Sequence, residues 1–168
     1  MNALLHKKNL PEHLRVGIVS VSTTRGISED KAGAWIKKTA KKEGHEVVVH
    51  HVVTDEKQAI RDMVEHVVFK VQPHVILMSG GTGVSPRDVT IEAVTPLFEK
   101  HLTAFGPLFA QLSYEEIDSA ALLSRATAGI VNNVIVFSMP GSLKACQLAC
   151  RALIFPELGH LVKHISES

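Results

Sequence analysis

The sequence predicts one α/β domain built on a parallel sheet with helices on both faces. Short runs rich in valine and isoleucine, at residues 14–22, 45–53 and 75–79, are typical of strands buried on both faces. Helical patterns separate these runs, and this alternation is the rhythm of a parallel sheet covered by helices. The 168 residues correspond to about one domain. We therefore expect a loose N-terminal arm over residues 1–13 and a single domain over residues 14–168.

Each predicted helix follows from an apolar stripe or from a marked helix end. Residues 29–44 end at Gly44 with lysines in the last turns, as the helix dipole favours. Residues 55–70 carry apolar side chains on one stripe and stop before Pro73. Further helices are expected over residues 87–100, 104–118 and 143–154, with a last short helix after Pro156 and one more buried strand over residues 134–138.

Composition excludes several classes of function. The formal net charge is only +1, too small for binding nucleic acid or an anionic membrane through a bulk field, so neither partner is expected. No apolar run reaches the ~18 residues of a membrane span, and the N-terminus is too short and polar for a signal peptide. The two cysteines, Cys146 and Cys150, cannot form a disulfide framework. These features predict a cytoplasmic protein.

The segment with the richest chemistry is the glycine loop SGGTGVSPRD, residues 79–88, which follows the third predicted strand. Ligands bind at the carboxyl ends of the strands in open parallel sheets. The glycines Gly80, Gly81 and Gly83 allow backbone N–H groups to converge into an anion-binding concavity. The loop is not the nucleotide P-loop, because no Lys-Ser/Thr pair follows the glycines. A phosphate site and a simple tight turn are both open at this point.

Two aspartates follow strand ends and have two interpretations each. Ser85-Pro86-Arg87-Asp88 has the form of a capping box, and Asp55 stands where the next helix begins. Beside a phosphate site, the same two carboxylates would hold Mg²⁺, which prefers oxygen ligands. Because both lie at carboxyl ends of strands, they are candidates for one shared crevice.

Other polar residues give weaker signals. Ser142 either caps a helix or makes a second anion contact, and Arg125 either holds a phosphate or pairs with a surface carboxylate. His160 and His164 have the i, i+4 spacing of a metal-binding pair, but no third ligand has a matching spacing.

Five ordered segments carry a resemblance to a known family. They are VSVSTTRGISEDKAG, VVTDE, SGGTGVSPRDVTIEA, SYEEIDSAALLSRATAG and VFSMPGS. From about Leu14 to the end, the sequence resembles the molybdenum cofactor biosynthesis proteins of the MoaB/MogA type, a family that includes a domain of gephyrin. The fourth segment is similar to the MoaB branch.

The resemblance implies a three-layer α/β/α domain that binds molybdopterin and assembles into homotrimers or homohexamers. It also implies adenylylation of molybdopterin with Mg-ATP, giving molybdopterin-AMP and pyrophosphate for a partner molybdenum insertase. A non-catalytic molybdopterin carrier of the same pathway is the alternative. At residue 32 this chain has alanine where many relatives have serine, so one hydroxyl contact is missing.

The resemblance also assigns roles to residues. Asp55 and Asp88 match the catalytic aspartates, to which we assign Mg²⁺ and the orientation of the attacking phosphate. Ser124 matches a serine on the pterin side of the site. The remaining substrate-binding positions are Ser79, Gly80, Gly81, Thr82 and Gly83 in the glycine loop and Pro140, Gly141 and Ser142 in the second substrate loop.

Overall fold

A computed structural model describes residues 9–167, and in them six strands form one sheet. The strand order across the sheet is β2-β1-β3-β6-β5-β4. The strands are β1 (Arg15–Val21), β2 (Glu46–Val53), β3 (Val75–Ser79), β4 (Lys100–His101), β5 (Thr127–Val131) and β6 (Val134–Met139).

Helices connect and cover the strands. A π-helical turn extends the second helix over Val67–Val71 and the fifth over Cys150–Ile154, where the sixth helix begins at once. The helices are α1 (Lys31–Lys42), α2 (Lys57–His66), α3 (Thr90–Val94), α4 (Phe105–Ile117), α5 (Leu143–Ala149) and α6 (Phe155–Ser166).

Four adjacent strands, β2, β1, β3 and β6, run parallel to one another. Strand β5 is antiparallel to both of its neighbours, β6 and β4. In the register of the sheet, Ser79 of β3 lies opposite Ser20 of β1 and Met139 of β6. The loops that follow these three strands therefore start side by side at one edge of the sheet.

Two apolar cores lie on opposite faces of the sheet and confirm the three-layer α/β/α architecture. On β3, Leu77 packs into the core shared with α1 and α4–α6, while Ile76 and Met78 pack into the core shared with α2 and α3. This alternation is the two-residue period of a strand. All five residues of β3 are buried, as expected for a strand covered on both faces.

The predicted helix over residues 87–100 is wrong in extent. Only Thr90–Val94 is α-helical, followed by a 3₁₀ turn over Thr95–Leu97 and then by β4. Pro96 lies in that turn. Its missing N–H and the clash of its ring with the carbonyl of the preceding turn oppose continuation of the α-helix.

Strand β5 was not predicted from the sequence. It pairs with β6 through a two-residue connection, Asn132-Asn133, in which both residues have positive φ (46° and 63°). A type I′ hairpin turn requires positive φ at both positions, and asparagine tolerates it. The asparagine pair was therefore a sequence signal for this hairpin.

The end of the predicted arm lies against the domain. Within residues 9–13 there is no helix or strand, but the imidazole Nδ1 of His13 is 2.8 Å from the Gly44 carbonyl oxygen. The first eight residues of the arm lie outside the described residues. None of the helices within residues 9–167 has the length and apolarity needed to cross a bilayer.

Gly129 in β5 tests how tightly the antiparallel strands pack. A Cβ at this position would overlap the ring of Phe98, so we expect Gly129→Ala to lower the free energy of unfolding by about 1–3 kcal/mol. Gly26→Ala is the matched control, because a Cβ there meets nothing within 4 Å and its φ of −84° suits any residue. Urea denaturation measures both, and equal stability of the two variants would contradict the packing.

Candidate functional site

A pocket of about 500 Å³ opens at the carboxyl edge of the parallel strands. The loops that follow β1, β2, β3 and β6 line it, so the pocket lies where the topology of an open α/β sheet puts ligands. Both aspartates singled out from the sequence, Asp55 and Asp88, are among its lining residues. The lining residues are 21–25, 55, 80–83, 85, 87, 88 and 140–142.

Thr90 fixes the first half of the glycine loop. Its hydroxyl Oγ1 donates to the Gly80 carbonyl (2.8 Å), and its backbone N–H donates to the Gly81 carbonyl (2.9 Å). Both glycines have positive φ (95° and 67°), and a Cβ would overlap Val21 O at Gly80 and Thr90 Oγ1 at Gly81. Only glycine fits both positions.

Arg125, which lies just before β5, fixes the second half of the glycine loop. Its Nε donates to the carbonyl oxygens of Thr82 (3.1 Å) and Gly83 (3.0 Å), and its Nη2 donates to the Asp88 carbonyl (3.4 Å). Its Nη1 pairs with Glu92 Oε1 at 2.6 Å, and this hydrogen bond lowers the pKa of Glu92. The interpretation of Arg125 as the partner of a surface carboxylate is therefore confirmed. Its guanidinium group also contacts the back of the glycine loop, and Arg125 does not line the pocket.

These anchors set the direction of the loop amides. A trans peptide places C=O and the next N–H on opposite sides, so the amides of residues 81–84 point away from Thr90 and Arg125. Within residues 9–167 the amides of Gly81, Thr82 and Gly83 donate to no protein acceptor, while that of Gly80 donates to Met139 O (3.0 Å). The Thr82 hydroxyl is also buried without a partner among the described residues. Such a run of N–H groups is a nest for an anion.

Asp88 closes the loop as a turn and not as a helix cap. Its Oδ2 accepts the Ser85 N–H at 3.0 Å, and its own N–H donates to the Ser85 carbonyl at 3.0 Å. Since α3 begins two residues later, at Thr90, the capping box is present only as this reciprocal turn. The carboxylate stands against Gly83, where a Cβ would lie 2.7 Å from Oδ2.

Asp55 does not cap α2, so the capping interpretation is wrong for this residue. The helix N-cap is Glu56, which makes no side-chain capping bond. The Asp55 carboxylate instead accepts a hydrogen bond from Thr23 Oγ1 in the loop after β1. This bond ties the loops after β1 and β2 together at the pocket wall.

The loop after β6 forms the opposite wall. Ser142 caps α5, since its hydroxyl accepts the Ala145 N–H at 3.1 Å, which confirms the capping interpretation. A Cβ on Gly141 would lie 3.1 Å from the Gly80 Cα, so the two loops are in close contact.

The Cys146 thiol donates a hydrogen bond to the Pro140 carbonyl at 3.2 Å. Burial raises the pKa of this thiol to about 12. Cys146 is a protonated core residue.

Three positions of the predicted site do not line this pocket. Ser79 is buried at the end of β3, where its Oγ lies 3.1 Å from Ser20 Oγ, so its role in substrate binding stays a prediction. Ser124 is not among the lining residues, and its backbone amide donates to Ala121 O at 3.0 Å, so its pterin role stays a prediction. Ala32, in the first turn of α1, is buried in the core and does not line the pocket. The hydroxyl missing at this position is thus not a missing contact to the pocket surface.

Two arginines of the pocket were not predicted as site residues. Arg25 and Arg87 line the pocket, and neither guanidinium has a hydrogen-bond or ion-pair partner within residues 9–167. Both stand in loops at strand carboxyl ends, which was the available signal. They add positive charge to the wall of a pocket that already has a nest of N–H groups.

A buried polar network forms the floor. Asp30 accepts hydrogen bonds from Ser20 Oγ (2.5 Å) and from the Gly33 N–H (2.8 Å). Its Oδ2 also lies 2.8 Å from His50 Nε2. Ser20 Oγ lies in turn 3.1 Å from Ser79 Oγ. Burial raises the pKa of Asp30, but these hydrogen bonds outweigh it, so the pKa lies below its ordinary value of 3.8. A cavity of about 20 Å³ above Ser20 and Ser79 has room for one water molecule.

The donor set fits Mg²⁺ together with phosphate oxygens. Within the described part of the chain no group of three or more His, Cys, Asp or Glu is arranged as a metal site. Mg²⁺ is usually bound by one or two carboxylates plus substrate phosphates, and Asp55 and Asp88 supply two carboxylates beside a phosphate-type nest.

The fold and the pocket define an α/β domain with a candidate ligand site, lined by glycines, arginines and carboxylates, at the carboxyl ends of its strands. Residues 16–160 match the family described as probable molybdopterin binding domain. This match covers most of the chain, and the chain belongs to that family, in the branch of molybdenum cofactor biosynthesis protein B.

Individual relatives agree with this assignment. Molybdenum cofactor biosynthesis protein B of Bacillus subtilis is 44% identical over 166 residues, 98% of each chain. The crystal structure of a molybdenum cofactor biosynthesis protein B has a TM-score of 0.91 at 43% identity, covering 94% of this chain and 99% of that one. The tungsten cofactor synthesizing protein MoaB from Pyrococcus furiosus has a TM-score of 0.84 at 37% identity, covering 92% and 98%.

Replacing Arg125 tests the anchoring of the loop. Arg125→Ala removes donors from three carbonyls and the partner of Glu92, so we expect a loss of about 1–3 kcal/mol in the free energy of unfolding. Arg125→Lys keeps the charge but not the fork, and we expect it to restore less than half of the loss. Urea denaturation checks both, and full rescue by lysine would show that charge alone matters.

The lowered pKa of Asp30 should make the free energy of unfolding depend on pH. A carboxylate with a lowered pKa stabilises the folded state fully above its unfolded pKa of 3.8, and this contribution is lost as pH falls through the lower folded pKa. The stability difference between wild type and Asp30→Asn is therefore largest at neutral pH, about 1–3 kcal/mol, and narrows in acid. Asp62→Asn, at an exposed aspartate on α2, is the control. A difference independent of pH would contradict the role of the ionised carboxylate.

Proposed function

We propose that this chain adenylylates molybdopterin with Mg-ATP. An oxygen of the terminal phosphate of molybdopterin attacks the α-phosphorus of ATP and forms a new P–O bond. The bond between the α-phosphorus and the bridging oxygen breaks, and pyrophosphate leaves with that electron pair. The products are molybdopterin-AMP and pyrophosphate. Membership in the molybdenum cofactor biosynthesis family supports the pathway, and the pocket supports the reaction.

One observation carries the proposal: Asp55 and Asp88, from two different loops, line the same pocket as the glycine loop, whose amides at residues 81–83 have no acceptor among the described residues. A nest alone would serve any anion, and two carboxylates alone would repel one. Their combination suits a ligand that brings phosphate groups and a divalent cation together. Mg-ATP has this chemistry.

The chain's own residues act mainly by position and charge. The amides of Gly81, Thr82 and Gly83 bind phosphate oxygens, and the guanidinium groups of Arg25 and Arg87 neutralise the charge that develops on the leaving pyrophosphate. Phosphoryl-type transfer needs little covalent participation by the protein, because in-line positioning and charge stabilisation supply most of the acceleration. The Arg125 and Thr90 anchors keep the donors in place without reorganisation.

Asp55 and Asp88 would hold the magnesium ion. An ion held there would supply positive charge to offset the negative charge of the phosphate oxygens. Each carboxylate also has a partner that fixes its orientation, Thr23 for Asp55 and Ser85 for Asp88. Their orientation is thus set by the protein before a ligand binds.

The proposal extends to the pterin side and to partners. Ser124 is the residue assigned to the pterin side, and Ser79, Pro140, Gly141 and Ser142 are proposed substrate-binding positions. Of these, Pro140–Ser142 line the pocket, and Gly141 lies against Gly80 of the glycine loop. We also propose that the chain forms a homotrimer or homohexamer, because several large apolar side chains on and after α4 are exposed. We further propose a cytoplasmic location and transfer of the product to a molybdenum insertase. The exposed apolar residues are Leu108, Tyr114, Ile117, Leu122 and Leu123.

Carboxylate variants test the reaction. Asp88→Asn keeps an oxygen for the Ser85 N–H but loses the negative charge, so we expect a fold that is retained and a rate at least about 100-fold lower. Asp55→Asn is expected to behave in the same way. The assay combines the protein, Mg-ATP and molybdopterin and measures molybdopterin-AMP by chromatography. Asp62→Asn, away from the pocket, is the matched control.

The same assay separates the two candidate functions. An adenylyltransferase releases pyrophosphate only when both substrates are present. A carrier binds molybdopterin, measured by calorimetry, but yields no molybdopterin-AMP in the wild type. An unchanged rate in Asp88→Asn would overturn the assigned role of that carboxylate.

A further inference from the structure

We propose that His160 and His164 on α6 form a second ligand site, for a divalent first-row transition-metal ion, with Cu²⁺ preferred. The two residues lie one turn apart on the same helix face, and their Nε2 atoms are 2.9 Å from each other. Neither residue lines the pocket at the strand ends. The site is therefore separate from the proposed adenylylation chemistry, and it does not depend on it.

The separation of the two nitrogens fits one class of coordination geometry. Imidazole nitrogens bind these metals at about 2.0–2.1 Å, so two ligands at a right angle lie about 2.9 Å apart. A tetrahedral angle with the same bond lengths needs about 3.4 Å. The observed 2.9 Å matches neighbouring positions of a square-planar or octahedral ion. Cu²⁺ and Ni²⁺ adopt these geometries, and Cu²⁺ binds nitrogen ligands most tightly in the divalent series.

Two carboxylates, one on α6 and one just after its end, lie near the other ring nitrogens. Glu157 Oε2 lies 3.3 Å from His160 Nδ1, and Glu167 Oε2 lies 4.0 Å from His164 Nδ1. Metal-binding histidines usually direct their second nitrogen to such a carboxylate, which fixes the tautomer with Nε2 as the ligand atom. Here both Nδ1 atoms face carboxylates while both Nε2 atoms face each other.

The proton count is consistent with this arrangement. In the pair without a metal, one Nε2–H points to the other Nε2 lone pair. When the metal ion binds, the proton on this Nε2 moves to Nδ1 of the same ring, so the ring stays neutral. Both Nε2 lone pairs then form bonds to the metal. Water molecules fill the remaining coordination positions, since the protein supplies two ligands.

The site is accessible to an incoming ion. The side chains of His160 and His164 are 31% and 67% exposed. Their replacement by alanine, a strong helix former, should leave the helix intact. This exposure makes the two histidines testable without loss of the fold.

The test is calorimetric titration of the full chain with Cu²⁺, and separately with Ni²⁺, in a weakly coordinating buffer at pH 7.5. We expect one equivalent of Cu²⁺ whose affinity falls about tenfold or more in both His160→Ala and His164→Ala. His66→Ala is the matched control, because His66 is also exposed on a helix and has no partner among the described residues. Electron paramagnetic resonance of the Cu²⁺ complex should show coupling to two imidazole nitrogens, and to one in each variant.

Several outcomes would overturn the proposal. These are unchanged Cu²⁺ binding in both His160→Ala and His164→Ala, an equal loss of binding in His66→Ala, or no binding to the wild type, which would leave the pair as a hydrogen bond only. The adenylylation assay gives an independent readout, and we expect both variants to keep wild-type activity there. Failure of the metal site therefore leaves the proposed function untouched, and the reverse also holds.

Discussion

The site depends on the anchoring of four successive carbonyl groups. Thr90 accounts for those of Gly80 and Gly81, and Arg125 for those of Thr82 and Gly83. With the carbonyls held on one side, peptide planarity turns the amides to the other side. A glycine loop without these anchors would sample many conformations and bind an anion at an entropic cost. The anchors convert a flexible segment into a preformed set of donors.

The antiparallel part of the sheet has a function in this arrangement. Arg125 stands two residues before β5, which is held between β4 and β6. The hairpin through Asn132 and Asn133 fixes the register of β5, and β6 carries the second wall of the pocket directly into Pro140. The same hairpin therefore supports the back of the glycine loop and the opposite wall. The parallel strands define where the pocket lies, and the hairpin gives it its rigidity.

The sequence was sufficient for the parts of the site that follow from topology. Asp55 and Asp88 line one pocket because the carboxyl ends of parallel strands share an edge, and glycine spacing marked the loop between them. The roles of Arg125 and Asp55 were not predictable in the same way. Arg125 contacts carbonyls 42 and 43 residues away, and Asp55 pairs with Thr23, 32 residues away. Such contacts depend on tertiary structure. For Asp55 the local pattern favoured a helix cap, and for Arg125 the sequence offered a phosphate or a surface carboxylate but not the loop carbonyls.

Hydrogen-bonding capacity explains why only two of the three aspartates near the pocket suit a cation. Asp30 has both oxygens engaged, Oδ1 with the Gly33 amide and Oδ2 with Ser20 and His50, in a buried position. Among the described residues, Asp88 accepts a bond only at Oδ2 and Asp55 only at Oδ1. Each therefore keeps one oxygen without a hydrogen bond among these residues. Hydrogen bonding thus gives Asp30 a structural role, whereas Thr23 and Ser85 orient Asp55 and Asp88 and leave each an oxygen for the proposed Mg²⁺.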